Sequence, residues 1–202
     1  REQGIQGTFK QRLMAVVLEG KSERVYISPK KEMVELEESA VPNWKPTTKI
    51  NHNPRDIRTQ LYGLNEYCDL FTSRQLVALS TLSELVKEVR DKVIEDALQN
   101  RNYTQIQAAS YGDAIATYLT FAIDKTVVYS NALCTWLNQP KNEIVGNSFG
   151  RQAIPMTWDF AEANHFCNSG GTILKQVEYL IKVINVSLSN PSALGYAMQS
   201  DA

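Results

Sequence analysis

Arg151, Gln152, Trp158, Asp159, Glu162 and Asn164 crowd into the run 147–164, the densest collection of chemically able side chains in this sequence. No nucleophile in the run has a base beside it, so these residue types point to binding rather than bond cleavage. Pro155 at a first helical position predicts a short helix. Helical spacing then puts Met156, Phe160 and Ala163 on one face and turns Trp158, Asp159 and Glu162 to another. Trp158 and Glu162 would stand one turn apart, where a ring and a carboxylate together hold a base, an amine or a guanidinium. The carboxylates beside Arg151 equally make a self-satisfied ion-pair network that fixes the turn.

Two further clusters have binding character. Arg74 and Gln75 open a long helical tract, where free backbone N–H groups favour an anion such as phosphate; capping of that helix by Thr72 or Ser73 explains the same residues. Lys45, Lys49, His52, Arg55 and Arg58, opposed only by Asp56, form a basic stretch beside Trp44 and Tyr62. Cations next to stacking rings suit a nucleic-acid backbone and its bases, while a solvated linker with scattered charges is the plainer alternative.

Other chemistries are poorly served. Asp113 and Asp124 fall about three turns apart on a continuous helix, too far to share a proton. The adjacent glycines of Asn168-Ser169-Gly170-Gly171-Thr172 match no phosphate-binding spacing. Cys68, Cys134 and Cys167 form no CxxC pair, and with only His52 and His165 besides they offer no spaced metal-ligand set. Three scattered thiols leave one over in any disulfide scheme, which predicts a reducing, cytoplasmic setting. The formal net charge of -1 creates no whole-molecule field for nucleic acid or an anionic membrane, so such binding needs a local patch. No apolar run reaches membrane-spanning length, and Arg1-Glu2-Gln3-Gly4 does not look like a signal peptide. A start without Met and an end just after a strand-like run read as a piece of something longer.

The elements that must position these groups are largely helical. With 202 residues, 43% of them hydrophobic, the chain can bury one real core. The β-prone runs at 13–18 and 25–27, with Glu19-Gly20-Lys21-Ser22 between them, predict a hairpin. Ser28 as cap and Pro29 at the first position predict a helix over 30–39. Three prolines and no periodicity mark an extended linker over 42–54. Apolar residues at spacings of three and four (Leu79, Leu82, Val86, Val89, Val93, Ala97) predict a long amphipathic helix from Thr72 or Ser73. A second helix, with a stripe rich in small residues, is expected from about Gln105 to Leu137, and a third from Ile173 to Leu188. The tail 193–198 reads as a short strand. The expected class is mainly α (α+β), divided as an N-terminal hairpin and helix (1–41), a linker (42–61) and a helical domain (62–202).

Several blocks carry a family resemblance: Tyr62-Gly63-Leu64, the run from Asp69 to Leu79, Asp113 to Leu119, and above all Phe149 to Asn164. Together with Glu19-Gly20-Lys21 and Val25-Tyr26, they resemble the middle region of large bacterial adenine-specific DNA methylase-like proteins. The resemblance implies S-adenosylmethionine-dependent methyl transfer to the amino nitrogen of adenine by a Rossmann-like core. Neither that core's Gly-rich cofactor loop nor its Asn/Asp-Pro-Pro-Tyr block occurs here, and Ser73 and His165 stand where the family commonly has proline. The implied role is therefore a substrate-positioning, target-recognition insert, not catalytic alone and binding no cofactor alone. Its partners would be the rest of the methyltransferase chain and DNA. Under that reading Arg151, Gln152, Trp158, Asp159, Glu162 and Asn164 face the active site, and Lys45, Lys49, Arg55 and Arg58 touch DNA. A helical interaction or scaffold module is the alternative.

Overall fold

The computed structural model describes residues 1–53, 55–100, 102–139, 142–150 and 152–187. The fold is mainly helical, with two small antiparallel hairpins. In order come α1 (Glu2–Ile5), β1 (Val16–Glu19), β2 (Arg24–Ile27), α2 (Lys31–Glu38), two 3-10 turns (Thr59–Tyr62 and Tyr67–Leu70), α3 (Ser73–Asn100), α4 (Gln105–Val127), β3 (Trp136–Gln139), β4 (Asn142–Val145) and α5 (Ile173–Ser187). Among the described residues no helix is long and apolar enough to cross a membrane.

The backbone of the fold is the pair α3 and α4, each started by a reciprocal cap. Thr72 Oγ1 accepts from the Gln75 N–H at 3.1 Å, and Gln75 Oε1 accepts from the Thr72 N–H at 2.8 Å. Thr104 and Gln107 repeat the arrangement at the start of α4. Such a box satisfies two orphan donors of the first turn at once. The small-residue stripe of α4 then lets the helices close up. A Cβ on Gly112 would stand 2.6 Å from Ile94 Cγ1, so only glycine fits this approach. Arg90 of α3 reaches Asp113 of α4 beside it at 2.6 Å.

The α4 helix ends ten residues before the expected boundary at Leu137, because Asn131 competes for its last carbonyls. Asn131 Nδ2 donates to Val127 O at 2.8 Å and to Ser148 Oγ at 2.9 Å, while its Oδ1 accepts from Leu133 N–H at 3.0 Å. Side-chain amides that bond locally to the backbone favour turns over helix interiors. The freed residues form β3, which pairs with β4 in the register Trp136↔Val145 to Gln139↔Asn142, a hairpin not expected from the sequence.

The helix expected from Pro155 does not form either. Ile154 bridges to Ile57, its N–H donating to Asp56 O at 2.9 Å and its carbonyl accepting from Arg58 N–H at 3.1 Å. Phe160 bridges to Thr135, and Ala161 N–H donates to Cys134 O at 2.8 Å. Backbone partners from distant segments thus hold both ends of this run in extended form, where Pro155 has no N–H to give up. Ser28 and Pro29 also fall outside their expected roles: α2 begins after Lys30, with no side-chain cap. The expected strand over 193–198 lies outside the described residues.

Two clusters make the core around this framework. One joins Ile50, Leu70 and Leu133, with Ile57, Leu64, Phe71 and Ile154 against them. The other joins Cys134, Val145 and Ala163. Ile50 lies within the proline-rich stretch and is only 4% exposed, so that stretch is seated on the helical body.

Candidate functional site

Trp158 is the focus of the site. Its ring meets Phe9 edge-to-face at 5.5 Å between centroids and Tyr62 at 5.3 Å, yet it remains 58% exposed. Aromatic neighbours at these angles fix a ring's orientation while leaving area for a ligand. Tyr62 can reach it because Gly63 closes the preceding 3-10 turn at φ 87°, a left-handed conformation that glycine adopts freely.

Arg74 links three elements. Its Nε stands 2.6 Å from Glu162 Oε1 and its Nη1 2.8 Å from Glu37 Oε1, with all three side chains largely shielded. This is a charge-assisted clamp between α2, the start of α3 and the 152–164 segment. Glu162 Oε2 is buried and has no partner among the described residues. Gln75 has no face toward solvent: its Oε1 is spent on the α3 cap, and its Nε2 is buried without a hydrogen-bond partner among the described residues.

These residues border a groove of about 1370 Å³. One wall is the segment from Phe9 through β1, with Met33, Leu36 and Glu37 of the α2 region. The other is the segment 156–164, with Trp136, Ile144 and Val145 behind it. Tyr26 and Trp136 tie the walls together: the Tyr26 hydroxyl donates to Glu143 Oε1 at 2.7 Å and accepts from Trp136 Nε1 at 3.1 Å. The bond to the Glu143 carboxylate, with some burial, raises the Tyr26 pKa.

The structure sorts the expected site residues into three groups. Trp158, Asp159, Glu162 and Asn164 all line the groove, though not as a helical face. Arg74 joins them through Glu162, an association between residues far apart in sequence. Asn164 also closes the following turn, its Oδ1 accepting from Phe166 N–H at 3.0 Å. Gln152 is exposed beside the Ile154 bridge, and Arg151 lies outside the described residues. Lys45, Lys49, Arg55 and Arg58 are exposed and make no ion pair among the described residues. Arg55 and Arg58 flank Asp56 and Ile57, so the C-terminal end of the basic stretch pairs with the segment that leads to Trp158, while Lys49 bridges to Glu66 instead.

Phe9, Glu37 and the Tyr26–Trp136–Glu143 set escape a sequence reading. One signal existed for Glu37: carboxylates in the last turn of α2, with no basic residue there, oppose the helix dipole and call for a partner elsewhere. No metal-holding group of three or more His, Cys, Asp or Glu residues occurs among the described residues. Burial lowers the pKa of His165, whose Nε2 lies 3.4 Å from Ser130 Oγ. The Cys134 thiol is pushed up by burial. Cys167 pairs with Ser169 at 3.2 Å, so it forms no dyad with His165 that the described contacts support. No family model matches the chain, and no curated protein or solved structure matches it.

Proposed function

We propose that the chain is the substrate-positioning insert of an S-adenosylmethionine-dependent adenine-specific DNA methyltransferase, with the cofactor and the methyl-transfer chemistry supplied by a Rossmann-like core outside it. The observation that carries this reading is the pairing of the basic stretch with the Trp158 run through Ile57 and Ile154. Arg55 and Arg58, free of ion pairs among the described residues, thereby flank the segment that leads to an oriented, exposed ring, and cations near such a ring suit nucleic acid and a displaced base. Three of the blocks that resemble the methylase-like family also converge: Tyr62 touches Trp158, and Arg74 pairs with Glu162.

In this role Lys45, Lys49, Arg55 and Arg58 contact the DNA backbone, and the edge formed by Gln152 and Trp158 faces the reacting base. Arg74 and Glu162 act as positioning residues, holding the Trp158 segment against α3. The test uses the methyltransferase that carries this chain. Replacing Lys49, Arg55 and Arg58 together with Gln should lower the dependence of log Kd on log[salt] by about 2 to 3, at about 0.9 for each phosphate contact on duplex DNA. Trp158→Ala should reduce methyl transfer to adenine-containing DNA. Folded variants that keep both the salt slope and the activity of the parent would overturn the assignment.

A further inference from the structure

Two rings hold Trp158, and each belongs to a segment that carries cations. Phe9 is followed by Lys10 and Arg12, and Tyr62 follows Arg55 and Arg58. Residues 1–13 and 55–63 together hold Arg1, Lys10, Arg12, Arg55 and Arg58 against Glu2 and Asp56 alone, and Asp56 already accepts from Asn53 Nδ2 at 3.3 Å. The surroundings of the ring contact are therefore basic. Lys10 and Arg12 are exposed, make no ion pair among the described residues, and have no part in the DNA contacts assigned above.

The segment that bears these two cations is seated on the same turn that presents Tyr62. Helix α1 packs on the 3-10 turn Thr59–Tyr62 through two glycines: a Cβ on Gly4 would overlap the Tyr62 carbonyl and the Phe9 ring, and a Cβ on Gly63 would overlap the Gly4 carbonyl. Arg1 Nε donates to Leu61 O of that turn at 3.3 Å. Phe9 then meets Trp158 itself, so the chain passes from an anchored start to an anchored ring. Lys10 and Arg12 leave directly from this contact, at most about 7 Å apart at Cα. Two cations so close together can meet neighbouring phosphates of one strand.

Asp159 gives the surface a direction. It is exposed next to Trp158 and makes no ion pair among the described residues. An unpaired carboxylate repels phosphate from its own side of the ring, while Lys10 and Arg12 attract it.

We infer that residues 9–12 form a nucleic-acid arm in which Lys10 and Arg12 contact the phosphates flanking the displaced base, with Phe9 as the positioning residue that fixes them beside Trp158. The inference rests on the DNA-binding reading of Trp158 and the basic stretch. It adds that the strand held at the ring is the one that carries the displaced base, gripped from the Phe9 side as well as from the Tyr62 side.

The test uses the methyltransferase that carries this chain and a duplex with one adenine opposite an abasic site, since an unpaired base costs least to displace. Lys10→Gln together with Arg12→Gln, at exposed positions with no partner to lose, should lower the dependence of log Kd on log[salt] by about 1.8, at about 0.9 for each phosphate contact. Gln11→Cys, exposed between the two cations, should form a disulfide best with thiol-tethered phosphates adjacent to the unpaired adenine, with the parent protein giving the background. Phe9→Ala should spread that trapping along the duplex. A slope unchanged by the Lys10/Arg12 variant, where the Lys49/Arg55/Arg58 variant loses its share, would overturn the arm and leave the DNA reading standing. Slopes unchanged in both would overturn the DNA reading and the arm with it. Trapping spread evenly along the duplex by Gln11→Cys alone, or unmoved by Phe9→Ala, would overturn the placement of the arm at the base.

Discussion

Replacing Arg74 with Met keeps the apolar stem and removes the one cation shared by Glu37 and Glu162. Both pairs are short, 2.8 and 2.6 Å, and side-chain exposure is 27% for Arg74, 15% for Glu37 and 25% for Glu162. Solvent-exposed pairs contribute about 0–1 kcal/mol, whereas removing one partner of a fully buried pair costs about 3–5 kcal/mol. Three-quarters shielding places this clamp between those limits. Glu162 sharpens the penalty, because Oε2 already lacks a partner and Oε1 would lose its donor. The expected loss is about 1–3 kcal/mol, which at about 2–4 °C per kcal/mol for a chain of this size lowers Tm by about 2–12 °C. Local opening should exceed the global effect, since no backbone hydrogen bond to the rest of the molecule holds α2 among the described residues. Urea unfolding would give the stability change, and hydrogen exchange would show faster opening over 31–38. Adding Glu162→Gln to the Arg74→Met variant should recover part of the loss, because a neutral amide leaves no unpaired charge. A change below about 0.5 kcal/mol, with exchange over 31–38 unaltered, would refute the clamp.

Two further outcomes follow from single contacts. Asn131→Ala should destabilise by about 2–3 kcal/mol, since a side chain only 1% exposed serves Val127, Leu133 and Ser148 at once and leaves buried groups unmet; chemical denaturation measures this, and a loss under about 1 kcal/mol would dismiss its role as the stop for α4. For His165, burial outweighs the raising influence of Glu162 and lowers the folded pKa below the unfolded value of about 6.5. The unfolded chain then binds more protons, so this residue's contribution is complete above pH of about 6.5 and is lost as pH falls from there toward the lowered folded pKa. His165→Gln should therefore flatten the difference in urea midpoint between neutral and mildly acidic buffer; an unchanged slope would count against neutral burial of the ring.

The sequence by itself determined the elements whose causes are local. The three-and-four spacing from Leu79 to Ala97 and the Thr72 cap produced α3, the small residues of α4 permitted its close approach at Gly112, and Gly20 lies in the bend of the first hairpin. It also marked the two stretches to which the proposed function assigns binding. Tertiary structure decided what those stretches became. Nothing local tells Ile154 to Ala161 to stay out of a helix, because the backbone partners at its two ends are Asp56, Arg58 and Cys134. Nor does spacing reveal that Arg74 meets Glu162 across a separation of 88 residues. The helical reading set Trp158, Asp159 and Glu162 outward and Ala163 inward; Trp158 and Asp159 are exposed and Ala163 is buried, but without a helix, and Glu162 is turned in to Arg74 with its Oε2 buried. Local propensities are small per residue, so a few long-range backbone bonds and one shared cation suffice to override them.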